Sequence, residues 1–356
     1  MAKTYDRLFP ALTTFANLHQ AYRKAARGKR GQVPVAQFEL NLEGNLLQLQ
    51  DELRSHAYRP GGYRSFYIRD PKHRLISAAP FRDRVVHHAL CSVIEPLFER
   101  GFIGDSYANR LGKGTHLALD RAQSFARGRP FVLQCDIRQF FPSVDHGVLR
   151  GILARTIADE DVLALAAAIL NGGAGVLDNE YDMTYFPGDD LFAASRPRGL
   201  PIGNLTSQFW ANVVMNELDQ FVKRRLRCRA YLRYMDDFLL FSDNKRELWE
   251  WKRAIEDVLA GLRLTMHARE STVYPVTNGI PFLGFRIFPT HRLIKRRNAV
   301  AFQRRLRGWW RAVAKGKMPL HELHPRVRGW VEHARHGDTW RLRRALLRSV
   351  RHAQNR

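Results

Sequence analysis

Ala230-Tyr231-Leu232-Arg233-Tyr234-Met235-Asp236-Asp237-Phe238-Leu239-Leu240-Phe241-Ser242 is the stretch that organises this chain. Two apolar half-strands flank Met235-Asp236, the pattern of a β-hairpin. Adjacent carboxylates in such surroundings are costly, because they repel one another and lose hydration. Two readings are open. Asp favours turns, so the pair could simply make a polar hairpin tip; alternatively, hard divalent cations, which prefer oxygen ligands, neutralise it. A second carboxylate has a similar setting. Asp136 closes the apolar run Phe131-Val132-Leu133-Gln134-Cys135-Asp136-Ile137, which reads as a buried strand. The two acidic positions are about a hundred residues apart, and spacing alone does not bring them together.

Outward from these strands, helical periodicity marks 13–29, 36–56, 80–100, 145–170, 205–226 and 246–261, with Leu40, Leu42, Leu46, Leu47 and Leu53 on the second. Pro60-Gly61-Gly62 breaks the pattern before a strand at Tyr63–Ile68. Further strands are expected at 263–275 and 281–288, and helices at 298–314, 320–336 and 338–352. Residues 171–198, rich in Gly, Asp and Pro, read as a long loop whose acidic residues are solvated. Strands and helices mix without βαβ regularity, so the expected class is α+β.

The chain has 356 residues, 45% of them hydrophobic, enough for one large domain or two smaller ones. No stretch has the length of a membrane span, and Met1–Arg30 reads as a polar segment and a basic helix rather than a signal. The expected setting is cytoplasmic, bacterial or phage-encoded, with no membrane partner. Cys91, Cys135 and Cys228 form no CxxC pair and read as buried thiols.

The net charge of +24 points to a polyanionic partner. From His291 to Arg356 there are 19 Lys/Arg against 3 Asp/Glu, which places 16 of the net charges there. Arg304, Arg305, Arg307 and Arg311 recur around Trp309 and Trp310, as in a phosphate-facing arm; packing is the favoured role for the two indoles. His321/His324 and His333/His336 have no carboxylate cluster nearby and read as phosphate or base contacts, or plain surface, rather than zinc ligands.

At this point the chain resembles the reverse transcriptases. Asp136-Ile137-Arg138-Gln139-Phe140-Phe141-Pro142-Ser143-Val144-Asp145 is similar to the family's first catalytic segment, and Tyr234-Met235-Asp236-Asp237 to its YxDD hairpin. The resemblance implies a right-hand polymerase with fingers, a palm carrying an antiparallel sheet, and a helical thumb. It divides the chain into an N-terminal helical segment on the fingers (1–60), fingers and palm (61–290) and a basic thumb (291–356). It also implies that Asp136, Asp236 and Asp237 hold two Mg²⁺ ions, with template RNA, cDNA and dNTPs as partners. Phe141 becomes the ring that leaves no room for a ribose 2′-hydroxyl; a core role for either Phe140 or Phe141 is the alternative. Asp70-Pro71-Lys72-His73-Arg74-Leu75-Ile76-Ser77 resembles the fingers strand, with Lys72 and Arg74 on the triphosphate. Phe282-Leu283-Gly284-Phe285 resembles the primer grip. Gly112-Lys113-Gly114-Thr115 does not meet the GxxxxGK[ST] spacing of a phosphate loop.

One segment narrows the resemblance. Ile202-Gly203-Asn204-Leu205-Thr206-Ser207-Gln208 stands where intron-encoded relatives carry QGxxxSP. The IGxxxSQ form is similar to reverse transcriptases of diversity-generating retroelements, which copy RNA with errors at adenines. It implies Ile202, Gly203 and Gln208 at the nucleotide, with a small basic helical-bundle accessory protein and a structured non-coding RNA as partners. A stand-alone phage-defence enzyme is the rival within the family; an RNA-binding, maturase-like module without polymerisation is the rival outside it.

Overall fold

The computed structural model describes residues 3–69 and 73–351, with side chains of the last helix described to Leu346. Among the described residues, nine strands form three sheets: β1 (Arg64–Ile68), β2 (Arg74–Ala78), β3 (Phe131–Asp136), β4 (Tyr231–Tyr234), β5 (Asp237–Ser242), β6 (Thr272–Pro275), β7 (Ile280–Phe282), β8 (Phe285–Ile287) and β9 (Arg292–Ile294). β1 and β2 make an exposed hairpin. β4-β5-β3-β6 make an antiparallel sheet, and β7-β8-β9 a small antiparallel one. Helices and strands are interspersed, giving the α+β class that the sequence implies.

The four-stranded sheet is covered on both faces, which is why its strands read as continuous apolar runs rather than alternating ones. Leu133, Cys135, Tyr231, Phe238 and Leu240 share one core with the helices Phe81–Glu99, Leu205–Arg224 and Lys245–Gly261. Val132, Leu232, Leu239 and Phe241 face the other way, onto the helix Thr115–Gly128 and β7–β9. The N-terminal helices Phe9–Leu12, Phe15–Ala26, Val33–Glu39 and Leu42–Arg54 belong to the first core through Leu12, Leu18, Tyr22, Leu46 and Leu49. The last three helices, Arg296–Ala314, Leu320–Ala334 and Trp340–Arg351, surround a separate small core of Phe302, Leu306, Leu323 and Leu346. Trp309 and Trp310 are half-buried against it, in the packing role.

Several expected elements differ. The helix at 36–56 divides between Glu39 and Leu42, and Leu40, counted on its apolar face, is exposed. The helix at 145–170 divides because Asp159 caps a new start: its carboxylate accepts from Val162 N and also from Leu8 N and Phe9 N. The strand at 263–275 begins only at Thr272, and 281–288 is a hairpin that turns at Leu283-Gly284, where both φ values are positive. The helix Thr115–Gly128 and β9 have no counterpart in the sequence reading. Nor are the acids of 171–198 simply solvated. Asp189 pairs with both arms of Arg263 (2.6 and 2.8 Å), and Asp182 pairs with Arg138. No helix among the described residues is long and apolar enough to cross a membrane, and the three cysteines are free and buried.

Because Leu46 is fully buried in the core that also holds the central sheet, the N-terminal helices should unfold together with it. Leu46→Ala should therefore lower the stability of a single urea transition by about 2–5 kcal/mol. Two separated transitions would show an independently folded N-terminal unit.

Candidate active site

Antiparallel register solves the problem of distance along the chain. β3 and β5 pair so that Asp136 stands directly opposite Asp237, and Tyr234 opposite Asp237 on the other side leaves Met235-Asp236 as the turn. The turn is held from behind. Met235 is buried and has a left-handed backbone (φ 61°), an unusual conformation for a residue with a side chain. Its carbonyl accepts from Arg233 Nη1 at 2.9 Å. Arg233 is fully buried and forks onto the Asp219 carboxylate (2.8 and 2.7 Å), with Ser106 Oγ and Asn212 Oδ1 accepting its remaining donors. Tyr231 donates to the same carboxylate at 2.6 Å.

Burial, and then the charges of Asp136 and Asp236, push the Asp237 carboxyl well above the usual carboxylate range. Asp237 Oδ1 is buried without a hydrogen-bond partner. Among the described residues, no group of three or more His, Cys, Asp or Glu side chains is arranged as it stands to hold a metal ion. The oxygen-only donor set and the orphaned Oδ1 nevertheless fit a hard divalent cation, which would relieve the repulsion.

A cleft of about 660 Å³ opens over these carboxylates, and six of the other candidate residues line it: Arg74, Phe141, Ile202, Gly203, Gln208 and Leu283. Phe140 is core, and Phe141 meets it edge-on at 5.4 Å while forming part of the cleft wall. Ile202 is fastened to the β1–β2 hairpin, its carbonyl accepting from Ser77 N at 2.8 Å. Gly203 has φ 118°, and a Cβ there would lie 3.1 Å from Ile76 Cγ2, so the motif needs glycine at this close approach. Asn204, given no role in the sequence reading, fixes the junction: its amide donates to Ser77 O and Pro201 O, and its oxygen accepts from Ala79 N. Leu177 and Glu180 of the 171–198 segment also line the cleft, and Tyr67 of β1 donates to Glu180.

Other candidates are not gathered there. Phe282 is fully buried in the second core, so its ring packs and does not face a primer. Gly284 makes the β7–β8 turn and accepts from Lys295 N at the start of the Arg296–Ala314 helix. Arg304, Arg305, Arg307 and Arg311 are exposed on that helix, away from the cleft lining. Lys72 lies outside the described residues. His333 and His336 are half-buried and packed against other rings. His336 stacks on His116 at 3.4 Å, His333 leans on Phe285, and burial lowers the pKa of His116 and of His333. Lys113 donates to Gly104 O, which leaves no phosphate loop at Gly112–Thr115.

Residues 68–287 match the family model for reverse transcriptase (RNA-dependent DNA polymerase). The chain is 28% identical over 291 residues to protein YkfC of Escherichia coli, covering 70% of this chain and 71% of that protein. It is 27% identical over 184 residues to the group II intron-encoded protein LtrA of Lactococcus lactis, covering 51% of this chain but only 28% of LtrA. An apo telomerase structure from Candida tropicalis aligns with a TM-score of 0.47 at 12% identity, over 69% of this chain and 59% of that one. The family match extends over more than half of the sequence: the chain belongs to the reverse transcriptase family.

Arg233→Lys separates geometry from folding. Lysine keeps a charge opposite Asp219 but has no second arm for the Met235 carbonyl. DNA synthesis should lose roughly 10–100-fold in kcat through a displaced turn, with the dNTP KM little changed and the circular dichroism spectrum intact. Wild-type kcat would show that the turn holds itself.

Proposed function

We propose that this chain copies RNA into DNA at a site built from Asp136, Asp236 and Asp237, and that it does so with frequent errors opposite template adenine, as in a diversity-generating retroelement. The observation that carries the first part is the pairing of Asp136 against Asp237 at the edge of a nucleotide-sized cleft. When bound there, two Mg²⁺ ions would supply charge neutralisation, a lowered pKa for the primer 3′-hydroxyl and stabilisation of the leaving pyrophosphate. Arg74, exposed at the start of β2 and on the cleft wall, receives the triphosphate, as does Lys72 by its place in the sequence. Phe141 closes the space beneath the sugar. Residues 1–60, 61–290 and 291–356 serve as N-terminal support, fingers with palm, and thumb. The exposed arginines of the thumb grip the phosphates of the template–primer duplex.

Ile202 supports the second part. It lines the cleft beside Gly203, with its carbonyl engaged by Ser77 and only an aliphatic side chain to offer the nascent pair. Fit alone discriminates by about 1–3 kcal/mol, so a pocket with fewer polar restraints rejects mismatches less well. A small basic accessory protein and a structured non-coding RNA belong to this reading as partners.

Removal of one carboxylate tests the site without relying on activity alone. Asp237→Asn should raise the melting temperature of the metal-free protein by a few degrees, because a buried repulsive charge is gone. It should also abolish the further rise that Mg²⁺ gives the wild type and reduce DNA synthesis by orders of magnitude. An unaltered Mg²⁺ response would place the metal elsewhere.

For fidelity, cDNA copied from a defined RNA by wild type should carry errors concentrated opposite adenine, and Ile202→Gln should reduce them. Uniformly low error in the wild type, with its accessory protein present, would remove the retroelement reading and leave the defence enzyme.

A further inference from the structure

The segment between Asp136 and Phe141 makes an abrupt backbone reversal at a residue ill suited to it. Gln139 has φ 46° and ψ 44°, the left-handed region that residues with a side chain enter only when neighbouring structure holds them there. It caps the short helix Phe140–Ser143, and its carbonyl accepts from Ser143 N and Ser143 Oγ (2.9 and 2.7 Å). Whatever fixes Gln139 therefore fixes where Phe141 stands relative to Asp136. On the far side of Phe141, its carbonyl is already pinned by Leu200 N at 2.8 Å.

Gln139 is held by the 171–198 segment, through one residue. Asp182 N donates to Gln139 Oε1 at 3.0 Å, and Gln139 Nε2 donates back to Asp182 Oδ2 at 3.2 Å. Arg138 Nη2 donates to the same carboxylate oxygen at 2.5 Å. The segment itself is moored at its far end, where Arg263 binds Asp189 and Arg196 binds Asp145. Asp182 thus reaches the reversal from a braced segment whose Leu177 and Glu180 line the same cleft as Gln139.

We propose that Asp182 is a positioning residue for sugar selection: by clamping Arg138 and Gln139 it fixes the reversal that sets Phe141 against an incoming nucleotide. This rests on the reading of Phe141 as the residue that excludes a 2′-hydroxyl. Asp182 touches no substrate and acts through the loop. Its ion pair with Arg138 is largely exposed, so it contributes little to global stability, and its loss should loosen the loop without unfolding the protein.

The test is single-nucleotide incorporation by the full chain on an RNA template, with kcat and KM measured for dGTP and GTP. Asp182→Ala and Gln139→Ala should each lower the dGTP/GTP preference by about three- to tenfold, the scale of a weakened exposed network. The change should lie in a lower KM for GTP, with kcat for dGTP within about twofold of wild type. The double variant should be no worse than either single one, as for two parts of one clamp. Asp182→Asn, which keeps an acceptor oxygen, should recover most of the preference; Asp178→Ala, an exposed acid of the same segment, should leave it unaltered. Phe141→Ala serves as the reference. If it lowers the preference and neither clamp variant does, the clamp is refuted and the gate stands. If Phe141→Ala leaves the preference unchanged, the gate reading fails and this inference falls with it.

Discussion

Carboxylates gathered at one end of an apolar sheet repel one another and are poorly hydrated there, and the surrounding structure is arranged to hold them in spite of this. The strand register presents Asp136 to Asp237 as part of the hydrogen-bonded ladder, so separating the two would mean slipping a strand whose side chains fill cores on both faces. The turn that carries Asp236 is tied from behind by Arg233. Fully buried, the Arg233–Asp219 pair contributes little net stability, since the cost of desolvating two ions about offsets their attraction. Its yield is geometric: Arg233 has donors enough to satisfy Asp219, Ser106, Asn212 and the Met235 carbonyl together, so the left-handed turn has one low-energy arrangement.

The opposite wall of the cleft is built on a different principle, close backbone approach. Ile202 and Gly203 lie against β2 through the Ser77–Ile202 hydrogen bond, and Asn204 satisfies three backbone groups at the junction. A side chain at Gly203 would push the two apart. The β1–β2 hairpin is exposed along β1, and this junction and the Tyr67–Glu180 hydrogen bond tie it to other segments that line the cleft.

Local patterns could be read from the sequence, and pairings could not. The apolar run of β3 and the half-strands of β4 and β5 stood out because both faces of the sheet are covered, so apolar residues dominate them and only Gln134 and the buried, paired Arg233 break the two runs before the aspartates. Their mutual register depends on contacts a hundred residues apart and left no local trace. The helix Thr115–Gly128 was missed because it begins at Gly114 with no side-chain cap, and the break at Asp159 because the aspartate that starts the new helix is also an ordinary helix residue. The acids of 171–198 read as solvated since their partners, Arg138 and Arg263, lie elsewhere in the chain. Phe282 sat within a motif whose family role is primer contact, yet in a three-residue strand alternate residues face opposite ways, and its face is the core. For Ile202 the family motif identified the position, while its fastening by Ser77 N, beside the junction that Asn204 fixes, required the fold.

The distribution of charge follows from the same separation of tasks. A polyanionic template is drawn by the summed positive field, 16 of whose net charges fall in the last 66 residues; the described helices there are held together by a few large apolar groups. Screening limits that field to about 8 Å at physiological salt, so cations far along the arm attract strands without neutralising the aspartates in the cleft, whereas Lys295 at its start lies close enough to offset part of the charge on Asp237. The reverse holds too. Three acidic groups confined to one apolar wall barely diminish attraction along the arm. Net charge therefore governs encounter and grip, whereas the local sign at the catalytic sheet governs what can be held there, and the two can have opposite signs in one protein because solvent and distance keep them apart.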